Sequence, residues 1–334
     1  MLYLDIYGLR VKVNSSNVEI LERIRKDFLY FSGQQDQPDI RIAVYKQAVP
    51  HGMIPETMAS MYQPDSVSYD CGNVRYVDYH GKALVVYDYT GEEGKIYSED
   101  IDLLHELGYL LVLSRAGEML DIRGIHRLHA LGLTYMNRAV LCIMPQGAGK
   151  TALGMDMLNM DGIKLLSDDT PLFTAGGRIL PFPLRIGIKE DDSGRYDIDR
   201  KYCYRISRRN HCAKTLVTVD YFKERISGEV APSLILIGER ISSGKASIEP
   251  VSGVRSAISF FKNGVVGLGL PQMVEYFLRG GKRDFLRKSG ILFSRLRAAS
   301  KILERSDTFL FTVGNDRGKN SGVLKDFLSS RGYT

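Results

Sequence analysis

The sequence has no tryptophan, no long apolar run and no closely spaced cysteine pair. The missing tryptophan excludes nothing. The missing apolar run excludes more: a membrane-crossing helix needs about 20 consecutive apolar residues, so neither a span nor a membrane partner is expected. The four cysteines, Cys71, Cys142, Cys203 and Cys212, form no C-x-x-C motif. Cys203, His211 and Cys212 are the tightest group, but a zinc site would need a fourth ligand at a suitable spacing, and none follows. Met1 to Asn14 alternates apolar and polar residues and lacks the basic start and apolar block of a secretory signal. The expectation is a cytoplasmic protein without structural disulfides. Internal repeats and low-complexity tracts are also missing.

What is present is a full complement of core residues and an uneven positive charge. With 44% hydrophobic and 25% charged residues, the 334-residue chain has the composition of a globular protein with a real core, long enough for one large domain or two ordinary ones. The net charge is +6, and the basic residues concentrate in Arg195–Arg209 and Arg279–Arg305. Such a surface attracts phosphates, acidic peptides or nucleic acid. No nucleic-acid-binding motif accompanies it, so nucleic acid is not an expected partner.

Periodicity divides the chain in two. Residues 2–13 read as two short strands bending at Gly8, and Asn17 to Phe31 has helical spacing with Ser15, Ser16 or Asn17 as cap. Strand-like runs follow at 39–45, 66–71, 74–79 and 83–89, separated by turn signals as in an antiparallel meander. Residues 1–97 are thus expected to form a small α+β module, and 98–334 a second domain. In the latter a helix is read over 101–120, strands over 127–134 and 139–144, a helix over 150–159 and a strand over 163–166. Residues 190–215 read as polar and irregular, a functional flap or a disordered segment. A strand at 233–237 follows, then helices near 253–262, 271–279 and 284–304, a strand at 308–313 and a helix near 323–329.

The chemistry lies in Leu141-Cys142-Ile143-Met144-Pro145-Gln146-Gly147-Ala148-Gly149-Lys150-Thr151. A buried strand ends, glycines let the backbone curl, and a helix begins with Lys-Thr. Backbone N–H groups of Gln146, Gly147, Ala148 and Gly149 then point inward at phosphates, and the helix N-terminus adds partial positive charge. Lys150 would bridge the outer phosphates and the Thr151 hydroxyl would hold Mg²⁺. The chain is therefore expected to bind ATP or another nucleoside triphosphate with magnesium. One position departs from G-x-x-x-x-G-K-[ST]: Met144 stands where the first glycine belongs.

Nucleotide chemistry of this kind needs a carboxylate opposite the loop, at the end of a neighbouring strand. Ile163-Lys164-Leu165-Leu166-Ser167-Asp168-Asp169 ends in two. Their mutual repulsion suits a division of labour in which one holds the metal and the other accepts a proton from an attacking hydroxyl. The plain alternative is a strand end with an aspartate cap. His129 lies on the strand paired with the one entering the loop, where a histidine is either structural or functional.

These three features in register resemble the catalytic domain of the HPr kinase/phosphorylase family. His129 precedes the loop, Gln146 to Thr151 form it, and Gly162-Ile163-Lys164-Leu165-Leu166-Ser167-Asp168-Asp169 follows it. The resemblance covers residues 125–190 and extends weakly to 240. It implies an α/β fold with a P-loop kinase domain of the HPr kinase/PEP carboxykinase-like type. It further implies Asp168 as base toward a serine hydroxyl, Asp169 and Thr151 near Mg²⁺, and His129 and Lys150 at the transferring phosphate. Family members assemble through this domain, which implies a homo-oligomer. The family's Leu-Glu-Ile-Arg-Gly stretch corresponds here to Leu180-Pro181-Phe182-Pro183-Leu184-Arg185-Ile186-Gly187, where Pro183 replaces the glutamate. The terminal Pro-Gly-Arg-Asn signature is missing too. Those departures are similar to the divergent relatives that phosphorylate lasso-peptide precursors, free serine or other small hydroxyl compounds.

The expected function is phosphate transfer from ATP to a hydroxyl of a peptide or small molecule. Arg185 steadies the outer phosphate or pairs with an acidic neighbour. The basic 189–212 segment closes over phosphates or an acidic acceptor peptide, or is a solvated loop. The rival reading is an impaired nucleotide-binding switch or partner-binding protein.

Overall fold

Alternation sets the first strands. Leu2, Leu4 and Ile6 on β1 (Leu2–Ile6), and Leu9, Val11 and Val13 on β2 (Leu9–Ser15), all point to one buried face. A computed structural model describes residues 1–189, 194–208, 211–241, 245–267, 270, 276, 279 and 281–331. They form two compact units of mixed α/β structure with several sheets.

The first unit comprises Met1–Met119, Tyr204–Lys214 and Gln272–Arg279. Helix α1 (Val18–Asp27) starts at Asn17, whose side chain accepts a hydrogen bond from the Ile20 amide, and it buries Ile20 and Ile24. It carries the chain from β2 to the parallel strand β3 (Ile40–Lys46). Strands β4 (Ala59–Gln63), β5 (Ser66–Cys71), β6 (Val74–Asp78), β7 (Leu84–Asp88) and β8 (Glu93–Ser98) form the antiparallel meander. β8 closes back beside β3 in parallel, so one eight-stranded sheet has the order β1-β2-β3-β8-β7-β6-β5-β4. Helix α2 (Ile101–Ile122) follows. Its fully buried Arg115 is held by Glu118 and Glu92 and stacks on the rings of Tyr87 and Tyr89, 4.8 Å from each centroid. Sequence periodicity places a boundary at residue 97; the compact units divide at Met119, and two later segments count with the first.

The second unit is built on a six-stranded sheet. Short strand β9 (Ile125–Arg127) leads to β10 (Leu131–Tyr135), β11 (Arg138–Ile143), helix α3 (Lys150–Met157) and β12 (Ile163–Ser167). Short strands β13 (Leu172–Thr174), β14 (Ile179–Leu180) and β15 (Ile186–Lys189) follow. Next in the chain are strands β16 (Cys203–Arg208) and β17 (His211–Val217), whose residues Tyr204–Lys214 count with the first unit, and then β18 (Ala231–Arg240) and β19 (Ser247–Pro250) of the second. Helix α4 (Gly253–Phe260) runs into a π-turn at Phe261–Val266. Helix α5 (Lys282–Glu304), β20 (Asp307–Val313) and helix α6 (Arg317–Ser330) complete the chain. The sheet order is β12-β10-β11-β18-β20-β19, with β11, β18 and β20 mutually parallel.

The segment read as irregular over 190–215 contains β16 and β17. Tyr204 and Ile206 alternate with Arg205 and Ser207, a period of two that the high charge hides. The helix read over 271–279 falls largely outside the described residues. Among them, no helix is long and apolar enough to cross a membrane.

Candidate active site

The direction of the strands assembles the site. β10 runs antiparallel to both of its neighbours, β11 and β12. Residues just before β10 therefore meet residues just after β11 and β12 at one edge of the sheet. Those residues are His129, the 144–151 loop and the Asp168-Asp169 pair. The backbone locks them in place: the His129 amide donates to the Asn263 carbonyl in the π-turn, and the Ala130 amide donates to the Asp169 carbonyl.

The loop needs its glycines for conformation. Gly147 and Gly149 have φ of 77° and 96°, and a Cβ on either would touch nothing, so backbone strain alone excludes a side chain there. Gly149 caps α3 without any side-chain cap, which leaves the first amides of the helix facing the loop. The guanidinium of Arg240, at the end of β18, donates to the Gly147 carbonyl at 3.3 Å. Sequence reading did not single out Arg240. Its signal was its position at the end of the parallel strand beside the loop strand.

Met144 has a place as well. It is 2% exposed, and a Cβ at Gly238 on β18 would lie 2.4 Å from its Cγ. The bulk missing at 238 is supplied from 144. A methionine in the first loop position thus belongs to the core.

Lys150, the first residue of α3, is buried. Its ammonium lies 2.5 Å from His129 Nε2 and 2.9 Å from Asp169 Oδ1, and His129 Nε2 is 3.2 Å from the same carboxylate oxygen. Thr151 Oγ1 donates to Asp168 Oδ2 at 3.0 Å. The resemblance implies that Asp169 and Thr151 lie near Mg²⁺; the side-chain contact that Thr151 makes is with Asp168. The two aspartates just past β12 thus take different partners: Asp168 meets Thr151, and Asp169 meets Lys150 and His129. Arg185 is buried in the residue before β15. Gln146 is exposed on the loop.

Burial pushes the Asp169 carboxyl up, but the His129 contact and the Lys150 charge outweigh it and hold the group at about 2. A depressed folded value means that the ion pair contributes stability above the ordinary 3.8 and loses it as pH falls through about 2. The melting-temperature advantage of the natural chain over Asp169→Asn is therefore expected to shrink between those two pH values. A difference that stays constant across that range would show that Asp169 is not held down.

Magnesium uses few protein ligands, commonly one or two carboxylates, and keeps waters and phosphate oxygens for the rest. Thr151 with one carboxylate of the Asp168-Asp169 pair fits that demand. Among the described residues no group of three or more His, Cys, Asp or Glu side chains is arranged to hold a metal, so a closed all-protein cage is not what this site offers. The sequence matches no protein-family model and no curated protein.

Proposed function

We propose that the second unit is a P-loop kinase domain of the HPr kinase-like type that transfers phosphate from ATP to an alcohol. The observation that carries this is the junction at residues 149–151. A left-handed glycine opens α3, the buried Lys150 follows it, and Thr151 hydrogen-bonds to a carboxylate across the sheet edge. The loop amides would bind the phosphates, with Lys150 moving from Asp169 to the outer ones. Thr151 and Asp169, once Lys150 has left it, would hold magnesium, which neutralises charge on the phosphates. Asp168 takes the proton as the acceptor oxygen bonds to phosphorus and the nucleoside diphosphate leaves. Asp169, ionised down to about 2, is the poorer base at neutral pH. His129 fixes Lys150 and Asp169 in place. Serine, in a peptide or free, is the proposed acceptor class.

Titration calorimetry of the purified chain with ATP and magnesium tests this. Gly149→Ala forces a side chain into the left-handed region at about 1–2 kcal/mol, so roughly tenfold weaker binding is expected, and Lys150→Ala should weaken binding further. Equal affinity in all three proteins would remove the nucleotide reading. A second reading, a nucleotide-binding switch without transfer, draws on Pro183 standing where the related kinases have a glutamate. Tight binding with no transfer to any alcohol or serine peptide would favour it.

A further inference from the structure

Helix α5 is apolar on two faces. Ile291, Ala298 and Ile302 are buried and form its inner side, together with the buried Arg295. Phe285, Leu286, Leu292, Phe293 and Leu296 lie on another side of the same helix, within one stripe at about 100° per residue. Phe285, Leu286 and Phe293 are 71%, 70% and 70% exposed. A surface helix in a globular protein puts charged or polar residues there, and a clustered apolar stripe marks a binding surface. The adjacent helix α4 repeats the feature, with Val254 and Ile258 exposed at i, i+4 spacing and Phe261 exposed just beyond.

The charge around the stripe is mainly positive. Arg297 borders it and is exposed, as is Lys262 beside the apolar residues of α4, while the exposed Arg255 there is paired with Glu239. The sole acidic residue from 282 to 303 is Asp284, which is buried and paired with both Arg287 and Lys288. The covering partner therefore has to be apolar and anionic at once. A second copy of this chain docking through the same face brings mainly positive charge to it, so such a dimer leaves the charge of Arg297 and Lys262 unmet.

We infer that this α4–α5 face docks on an anionic lipid surface. Phenylalanine and leucine enter the headgroup boundary, while Arg297 and Lys262 meet lipid phosphates and carboxylates. This is surface association, independent of the nucleotide site and distinct from a membrane span.

The test is co-sedimentation of the full chain with phosphatidylcholine vesicles and with vesicles containing about one third phosphatidylserine. Binding to the anionic vesicles should exceed binding to neutral ones by about tenfold and weaken with added salt. The double variant Phe285→Ser/Phe293→Ser should lose about tenfold of that binding, and Arg297→Glu several-fold, with melting temperature and ATP affinity unchanged. No vesicle binding, equal binding to both vesicle types, or variants that bind like the natural chain would each overturn the inference. It is overturned too if the double variant instead abolishes a concentration-dependent dimer, or if an acidic peptide binds the face while anionic vesicles do not.

Discussion

Replacing Asp168 by asparagine is expected to lower phosphate transfer about 10²–10⁴-fold, the range for losing a positioned base, while ATP affinity stays within a few-fold. The side chain keeps its size and can still accept the Thr151 hydroxyl, found here at 3.0 Å, so the loop and α3 should hold their form. What is lost is the charge that draws off the acceptor's proton. Single-turnover transfer to serine and serine peptides, run beside calorimetric ATP titration, separates the two effects. Asp169→Asn is the companion measurement, because it removes the carboxylate that Lys150 and His129 share. If Asp169→Asn abolished transfer while Asp168→Asn left it intact, the two aspartates would exchange roles. If both variants transferred phosphate at the natural rate, the kinase proposal would fail.

The largest stability effect is expected from Arg295→Ala. Arg295 on α5 is 3% exposed and grips the fully buried Asp121 through Nε at 3.0 Å and Nη2 at 2.5 Å, while Nη1 donates to the Val265 carbonyl at 2.9 Å. His126 completes the cluster, with Nδ1 2.9 Å from Asp121 and Nε2 2.9 Å from the Ser294 hydroxyl. Burial pushes the Asp121 carboxyl up, yet the Arg295 charge and the His126 hydrogen bond bring it below its ordinary value. Without the guanidinium the buried carboxylate keeps the His126 hydrogen bond and the charge of Arg127 alone. Breaking such a pair costs about 3–5 kcal/mol, which urea unfolding would read as a large drop in midpoint with little change in slope. Adding Asp121→Asn to the variant should recover part of the loss, because no charge then stays buried. A loss under about 1 kcal/mol would show that the cluster is not a true buried pair.

Much of this site was legible in the sequence, for a local reason. Glycines at 147 and 149 between an apolar strand and a Lys-Thr helix start can satisfy their backbone in few ways, and the loop in the structure uses left-handed φ at both. The aspartates at 168 and 169 could be seen to end a strand. Which of them would face Thr151 could not, because that depends on how the strand end twists against α3. Long-range contacts left no trace either. Asp121 and Arg295 meet from distant parts of the chain, and nothing in either segment names the other. The strand β8 was missed because Gly94 and Lys95 dilute its pattern, although its register with β3 is continuous. The helix at α5 was found from its spacing, but spacing does not say which of two apolar stripes faces inward.

The pairing of Met144 with Gly238 bears on how the loop moves and how it can change over time. A glycine at the first loop position would give the strand a free pivot where it enters the loop. Here that position is pinned in the core by a side chain lodged against the neighbouring strand, so a hinge in the loop would fall at Pro145 or later. The two positions are also bound as a pair in inheritance. A larger residue at 238 displaces the methionine, and a smaller one at 144 leaves a void, so drift at either site calls for an answering change at the other.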